Sequence, residues 1–211
     1  MAVNTSPLRI LAALALLSLA ACNSARDLDE ATVPLGDFYF GHNIVVAENA
    51  QRGPLSREAT AEEWEEALRT EMERRFRRFD GDRLYHLAIG VEGYILAVPG
   101  VPLVAAPKSA LIFSVSVWDD AAGGRINEPH RLTVIESVSG GALLSSGLFM
   151  SREEQIQDLA QNAARSVERW MRNNMDWFGG VPEDPAGDDP QPTPPTAATQ
   201  AVRDMAAAGM R

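Results

Sequence analysis

The chain has 211 residues, a formal net charge of −10 and an apolar fraction of 45%, which leaves room for about one domain beside a leader and a tail. The acidic balance excludes an extended nucleic-acid interface, because phosphates require clusters of Lys and Arg. It also disfavours broad electrostatic adhesion to anionic lipid. The single cysteine, Cys22, excludes an internal disulfide.

The residue types that bind metals are too sparse to predict a metal site. A structural zinc site usually needs four ligands, whereas the chain has one cysteine and three separated histidines, His42, His86 and His130. His86 falls on the face of a predicted strand opposite its main apolar residues. Asp119 and Asp120 precede a glycine pair and are typical of a turn, since a calcium loop needs five or more oxygen ligands. We therefore predict that the protein binds no metal.

Residues 1–21 have the pattern of a secretory leader. Arg9 precedes an uncharged apolar run over 10–21. A helix of that length spans roughly 18 Å, well short of a bilayer core of about 30 Å. The run is thus typical of a signal peptide rather than of a transmembrane helix.

The leader ends in Leu19-Ala20-Ala21-Cys22. This sequence resembles the bacterial lipobox, and the resemblance implies cleavage before Cys22 and attachment of a diacylglycerol and an acyl chain to its thiol. Two or more acyl chains anchor a protein stably, and no other cofactor is expected. Residues 22–32 are predicted to be a tether. The alternative is an ordinary secretory leader with an incidental cysteine.

The lipobox also predicts where the protein resides. A lipidated protein of this kind is expected on the periplasmic face of a bacterial membrane. Asn23 follows the cysteine, whereas Asp at that position typically retains enterobacterial lipoproteins in the inner membrane. We therefore expect the outer membrane rather than the inner one.

A single domain is predicted over 33–178, and its first half contains a strand, a helix and a strand. Aromatic and β-branched residues predict a strand over 37–47 with a glycine irregularity. Thr60 and Glu63 form a capping-box pattern that begins a helix extending to about Phe79. Alternating apolar residues predict a half-buried strand over 84–97.

The second half is predicted to contain a hairpin and a long helix. Residues 110–118 and 131–138 alternate as two strands of an antiparallel hairpin with a long loop. A second capping-box pattern begins at Ser151 and predicts a helix to about Asn174. Trp177 and Phe178 are expected to pack back on the domain. The Pro-rich residues 179–211 are predicted to be a disordered tail.

Two segments of the domain suggest binding surfaces. The first predicted helix ends in four arginines, which we interpret as a solvated face, the alternative being a phosphate or headgroup site. Residues 98–107 form an apolar, Pro-rich loop, which is unusual because loops are normally polar. The loop either covers the core or contacts a partner, and its candidate binding residues are Val98, Pro99, Val101, Pro102, Leu103 and Val104.

The sequence contains no recognisable catalytic motif. Gly-x-Ser-x-Gly, Walker, HExxH and CxxC patterns do not occur, and the single cysteine is predicted to be lipidated. A hydrolase with paired carboxylates is the remaining enzymatic alternative. We therefore predict that the protein is not an enzyme and has no catalytic residues.

The pattern of elements predicts an α+β fold, a mostly antiparallel sheet of four or five strands covered by two amphipathic helices. This order is similar to that of small envelope lipoproteins of the curli-secretion and penicillin-binding-protein-activator types. Ser-Val-Trp-Asp-Asp-Ala-Ala-Gly and Ser-Arg-Glu-Glu-Gln, over 116–123 and 151–155, resemble an uncharacterised lipoprotein family of alphaproteobacteria.

These features lead to two functional hypotheses. The first is a non-enzymatic assembly or accessory factor of the envelope, which contacts a protein partner through the loop 98–107 and the sheet edge. The second is a lipid-binding or transport auxiliary, which needs an apolar pocket between the sheet and the helices. Neither hypothesis involves nucleic acid.

Overall fold

The structure, a computed structural model, describes residues 28, 32–98, 109–136 and 150–180. The predicted signal peptide, Cys22, the loop residues 99–107 and the tail beyond Gly180 lie outside the described residues. Within the described parts, the element order is β1 (Phe38–Val46), β2 (Gln51–Arg52), α1 (Ala61–Phe76), β3 (Arg83–Ile95), β4 (Ala110–Asp119), β5 (Gly124–Arg125), β6 (His130–Ile135), α2 (Arg152–Arg172) and a 3-10 turn, Met175–Phe178.

The strands form one mixed sheet of six strands, with β3 between β1 and β4, and β6 on the far side of β4. The α+β class is confirmed and the sheet is mostly antiparallel. It has six strands rather than the predicted four or five, because β2 and β5, two residues each, extend it. β1 runs parallel to β3, since the helix between them returns the chain to the same end of the sheet.

Both helices pack on one face of this sheet, where the core lies. The side chains of β3 alternate, so that Tyr85, Leu87 and Ile89 are buried under the helices. The second helix contributes small and branched residues that allow close approach. Its fully or almost fully buried apolar residues are Ile156, Leu159, Ala160, Ala163, Ala164, Val167 and Met171.

An aromatic cluster centred on Phe38 joins the start of β1 to the helices. Phe38 is fully buried, and its ring lies 5.5 Å from that of Tyr85 and 5.3 Å from that of Phe178. Phe76 and Phe79 complete the cluster with edge contacts at 6.1 and 5.8 Å. Because each such pair adds about 0.5–1.5 kcal/mol beyond its buried area, Phe38 is a major contributor to stability.

The C-terminal end of the domain packs against its N-terminal end. The 3-10 turn packs Phe178 into the core, as predicted, and its carbonyl accepts a hydrogen bond from the Asp37 N–H at 2.6 Å. Gly36 adopts φ +69°, and a Cβ there would lie 2.5 Å from the Phe178 carbonyl oxygen. Glycine is thus required at this contact. Gly180, the last described residue, leaves the domain directly beside Gly36.

Both predicted capping boxes are present, and an ion pair joins them. The Thr60 and Ser151 hydroxyls accept hydrogen bonds from the backbone N–H groups of Glu63 and Glu154. The carboxylates of Glu63 and Glu154 in turn accept hydrogen bonds from the backbone N–H groups of Thr60 and Ser151. Arg152 binds both carboxylate oxygens of Glu63, at 2.7 and 2.5 Å. This bidentate pair ties the first turns of the two helices together, and it lowers the pKa of Glu63 together with the Thr60 backbone bond.

This ion pair predicts a specific pH dependence of stability. Because the folded-state pKa of Glu63 lies below its ordinary value of 4.5, the stabilisation is complete above that pH and is lost as pH falls through the folded pKa. We expect Arg152→Gln to lower the free energy of unfolding by about 1 kcal/mol or less at pH 7, since the pair is partly exposed.

The measurement is urea unfolding of both chains between pH 7 and pH 3, where the difference should shrink as the solution becomes acidic. Arg52→Gln is the matched control, because Arg52 pairs with an exposed Glu58 at 3.4 Å. A difference between Arg152→Gln and the unmodified chain that is unchanged at pH 3 would contradict the assignment.

The four arginines at the end of α1 each have a partner, so the solvated-face interpretation is only partly right. Arg74 binds Glu71, and Arg77 binds Glu73 while lying over the Phe40 ring. Arg78 donates to Thr32.

Arg75 differs from the other three because it is buried. Its Nη1 lies 2.6 Å from Glu168 Oε2, and Arg172 donates to the other oxygen of the same carboxylate at 2.7 Å. Glu71, on the preceding turn, is engaged by Arg74 and by Gln157. A buried ionic cluster of Arg75, Glu168 and Arg172 thus links the two helices.

In the parts of the chain that the structure describes, neither helix is apolar enough over a sufficient length to cross a bilayer.

Candidate functional site: the open sheet face

The sheet face opposite the helices, here called the open face, exposes large apolar side chains. Tyr39, Ile44 and Val46 of β1 are exposed by 50%, 58% and 46%, and Trp118 of β4 by 42%. These four are most of the seven large apolar side chains that are exposed among the described residues. Single exposed apolar residues are ordinary, but several on one continuous face mark a binding surface.

The middle of the open face is a shallow trough with a floor of small residues. Ala88 and Gly90 of β3 lie opposite Ser116 and Ser114 of β4. On one side, Ile44 and Val46 of β1 stand directly beside Ala88 and Gly90. The resulting floor lets a backbone approach the sheet closely.

An ion pair bounds the trough on its other side. Arg131 of β6 lies opposite Ser114 in the strand register. Its Nε contacts the Glu92 carboxylate of β3 at 2.7 Å, so the pair crosses above β4. The trough is therefore apolar along β1 and charged along β6.

A β-bulge in β1 shapes the end of the open face that contains His86, here called the near end. The register of β1 against β3 shifts between Phe40 and Asn43, so that Gly41 and His42 together face His86. A Cβ on Gly41 would lie 2.4 Å from His86 Nδ1, and glycine is therefore the residue that allows the His86 ring to sit here. The bulge at Gly41 and His42 is the glycine irregularity that the sequence predicted in this strand.

The bulge brings two of the three histidines together. The rings of His42 and His86 stack with centroids 4.9 Å apart. His86 Nδ1 accepts the His42 backbone N–H at 2.8 Å, and its Nε2 lies 3.1 Å from Asp120 Oδ1. Since Nδ1 is an acceptor, the neutral ring carries its proton on Nε2 and donates to Asp120. Trp118 lies beside this group, opposite His86 in the register.

The remaining candidate metal ligands have structural roles. Asp119 binds Arg83 at 2.6 Å and accepts the Ala122 N–H within the turn, which confirms the turn interpretation. His130 stacks on Trp170 at 4.9 Å on the helix side of the sheet and pairs with Val115 of β4. Within the described ranges, no cluster of three or more His, Cys, Asp or Glu side chains is arranged to hold a metal ion.

The far end of the open face is where the predicted apolar loop begins and ends. Ile95 and Ala110 flank the loop, and with Ile112 and the partly buried Ile135 they form a small apolar cluster. Val98 is exposed by 37%. The other candidate residues of the loop, Pro99, Val101, Pro102, Leu103 and Val104, lie outside the described residues.

The sheet edge formed by β1, the second predicted contact surface, is partly occupied. The Ala47 N–H donates to Glu65 of α1 at 3.0 Å, and the Asn43 amide donates to the Arg69 carbonyl at 2.9 Å. Tyr39 forms an isolated bridge with Asp80. These contacts engage β1 near its start, in its second half and just beyond its end.

A groove of about 420 Å³ lies between the starts of the two helices. Carboxylates line it, including Glu62, Glu66 and Glu153, together with Ile156 and Gln157. Acidic first turns are expected at helix starts because they complement the helix dipole. The groove therefore has a structural explanation.

The interior between sheet and helices bears on the lipid-binding hypothesis, which needs an apolar pocket there. Buried side chains fill this space, among them Trp64, Leu68 and Met72 from α1 and Phe113 and Val115 from β4. Trp64 packs against Tyr94 with ring centroids 5.3 Å apart. This packing gives the lipid-binding hypothesis no support.

Comparison with known proteins shows no matching family model and no matching curated protein. Among solved structures, a Xanthomonas campestris protein assigned to DUF330 is 10% identical, with a TM-score of 0.42 over 72% of this chain and 94% of that one. A Caulobacter crescentus protein described as a lipoprotein is 16% identical, with a TM-score of 0.31 over 65% of this chain and 92% of that one.

A third similar structure, a minor lipoprotein from Acinetobacter baumannii, is 19% identical, with a TM-score of 0.28 over 60% of this chain and 89% of that one. Likenesses of this size assign no role to the chain. The resemblance to an alphaproteobacterial lipoprotein family stays a prediction, since no family model matches. Two of these three structures are described as lipoproteins.

Proposed function

We propose that this protein is a lipid-anchored, non-enzymatic lipoprotein of the bacterial envelope, which binds a protein partner through the open face and acts as an assembly or accessory factor. The observation that carries this proposal is the row of exposed apolar side chains beside a floor of small residues. When the helices of an α+β domain cover one face of its sheet, the other face of the sheet is available to bind a partner. The lipobox ending in Cys22 supports the membrane anchor.

The chemistry of the open face favours a folded protein partner. Aromatic and aliphatic side chains such as Trp118 and Ile44 suit the desolvated centre of an interface, and enclosed aromatic residues often dominate binding energy. The polar groups around them, His42, Asp120 and Arg131, suit its rim. The partner is expected to present an apolar ridge with hydrogen-bonding groups on both sides.

Two substitutions of exposed apolar residues test the proposal. Ile44→Asp places a charge on the apolar side of the open face, whereas Leu55→Asp places one on a loop after β2, where Leu55 is exposed by 76%. After crosslinking in intact cells, we expect Ile44→Asp to lower the yield of the specific adduct by about tenfold or more. Leu55→Asp should leave the yield unchanged.

Both variants should unfold within about 0.5 kcal/mol of the unmodified chain, since both positions are exposed. Equal adduct yields from the two variants would place the contact elsewhere. A loss of adduct with both would point to unspecific hydrophobic capture. Either result would overturn the proposal.

A further inference from the structure

We infer that His86 and the bulge of β1 form a pH-sensitive contact: protonation of His86 breaks its hydrogen bond to the His42 backbone and leaves the ring paired with Asp120 alone. The contact lies at the near end of the open face, between the exposed side chains of Tyr39 and Ile44 on β1. Acid therefore changes the shape of this surface. The inference deepens the proposed function by giving the open face a means of regulation, and its consequence for partner binding rests on that function.

The two ring nitrogens of His86 have two partners with opposite requirements. Nδ1 accepts the His42 N–H at 2.8 Å, and Nε2 lies 3.1 Å from Asp120 Oδ1. Both contacts are satisfied when the single proton of the neutral ring is on Nε2. A second proton would be added at Nδ1, where it would meet the His42 N–H, and a backbone N–H can only donate. The hydrogen bond and the protonated ring thus exclude each other.

The backbone of the bulge packs directly against the side of the ring on which Nδ1 lies. A Cβ built on Gly41 would be 2.4 Å from His86 Nδ1 and 2.7 Å from its Cε1. The His86 side chain is only 18% exposed. Water therefore reaches a proton on Nδ1 only after the bulge has moved away from the ring.

The two titratable groups in contact with His86 favour movement of the bulge rather than of the ring. Asp120, in the turn after β4, attracts a protonated imidazole and holds it in place. On β1, the His42 ring stacks on the His86 ring with centroids 4.9 Å apart. Histidine side chains change charge between about pH 5 and 8, and two stacked rings that are both protonated repel each other. Acid thus strengthens the contact with the turn and weakens the contact with the bulge.

Other charged groups nearby are engaged with one another. Trp118, which is uncharged, faces His86 from β4, and beyond it Arg125 of β5 pairs with Glu128 at 2.9 Å. Arg83 and Asp119 pair at 2.6 Å on the helix side of the sheet. Asp120 is therefore the carboxylate that responds to a charge on the ring.

The position of the bulge couples this contact to the apolar part of the open face. Before the bulge β1 pairs with β3 through Phe40, and after it from Asn43. Because a bulge sets the bend and twist of its strand, its movement changes the position of Tyr39 relative to Ile44. A partner that fits the neutral arrangement is expected to bind less tightly in acid.

The test follows the His42 amide in NMR spectra of residues 22–211, with Cys22→Ser to prevent lipidation. As the pH falls from about 8 to 5, we expect the His42 amide resonance to move by more than a line width. It should follow the same titration curve as the side-chain resonances of His86. His86→Asn keeps an acceptor near the position of Nδ1 but does not titrate, and it should abolish the transition.

Three further variants assign the transition to its groups. His42→Gln removes the stacked ring but keeps the amide, so the transition should persist. Asp120→Asn should move its midpoint to lower pH, because the protonated ring loses its counter-charge and keeps a hydrogen-bond acceptor. His130→Gln, on the helix side of the sheet, is the matched control and should leave the midpoint unchanged.

A His42 amide resonance that does not change with pH in the otherwise unmodified chain would overturn the inference. A transition that survives His86→Asn, or one that is lost in His42→Gln, would also overturn it, since another group would then be the one that titrates. None of these readouts involves a partner. Their failure would leave the proposed function standing, and a failure of the crosslinking experiment would leave this contact standing.

Discussion

Replacing Phe38 by alanine is expected to lower the free energy of unfolding by about 3–5 kcal/mol, the range for deleting a buried phenylalanine. The ring is fully buried and contacts four other aromatic rings. The cavity would open where β1, the end of α1 and the 3-10 turn meet. These elements can collapse little, because Gly36 and Asp37 already hold the turn against the strand.

The neighbouring residue provides the control for this prediction. Tyr39 points to the open face and is half exposed, so Tyr39→Ala should cost about 0.5 kcal/mol or less. Phe38→Leu should lower the free energy of unfolding by an amount between those of Phe38→Ala and Tyr39→Ala. It keeps the test valid if Phe38→Ala does not fold. The measurement is urea unfolding followed by circular dichroism. Equal losses at positions 38 and 39 would contradict the assignment of the two sheet faces.

Removing the charge of Glu168 is the second substitution with a large expected effect. Its carboxylate is almost buried and binds Arg75 of α1 and Arg172 of α2. Breaking a buried ion pair by neutralising one partner typically costs about 3–5 kcal/mol, and we expect Glu168→Gln to fall in that range. The loss should appear in thermal and urea unfolding alike.

Two further chains make this result specific. Glu66→Gln alters an exposed pair with Arg69 and should cost about 0.5 kcal/mol or less. The triple variant Arg75→Met, Glu168→Leu, Arg172→Met replaces the whole cluster by apolar side chains, and such replacements are often close to neutral. We therefore expect it to recover most of the stability that Glu168→Gln loses. A triple variant as unstable as the single one would show that shape, rather than charge, controls this contact.

The local elements of the domain could be predicted from the sequence because their signals are local. Thr60 with Glu63 and Ser151 with Glu154 mark the helix starts, and both capping boxes form. The alternation over 110–118 likewise predicted β4 and its pairing with β6. Such patterns depend only on residues a few positions apart, so they can be recognised in the sequence without knowledge of the fold.

The parallel pairing of β1 with β3 could not be predicted in this way. The bulge at Gly41 and His42 interrupts the alternation of β1, so its two faces are obscured in the sequence. The direction of pairing depends on where α1 packs, which is a property of the whole fold.

The buried ionic cluster has a signal in the sequence. Arg75 lies seven residues after Leu68 and three after Met72, on the apolar stripe of α1. Glu168 lies four residues after Ala164 on the stripe of α2. A charge of opposite sign on the apolar stripe of each helix indicates a buried pair between them.

The open face also left a partial signal. Ser114 and Ser116 alternate with buried residues of β4, and Ala88 and Gly90 do the same on β3. Each strand alone indicates one polar or small face. Only the register shows that these faces form one floor, with Ile44 and Val46 beside it. The predicted contact surfaces, the loop 98–107 and the sheet edge, do not include this face, and they stay predictions.

The central claim is that the open face binds an envelope protein, and site-specific photo-crosslinking in living cells tests it most directly. A photoreactive amino acid placed at Ile44 or Trp118 of the lipidated chain should give one discrete adduct with a single protein, and the same amino acid at Leu55 should not. Adducts of equal pattern at all three positions, or adducts with lipid alone from the open face, would contradict the claim.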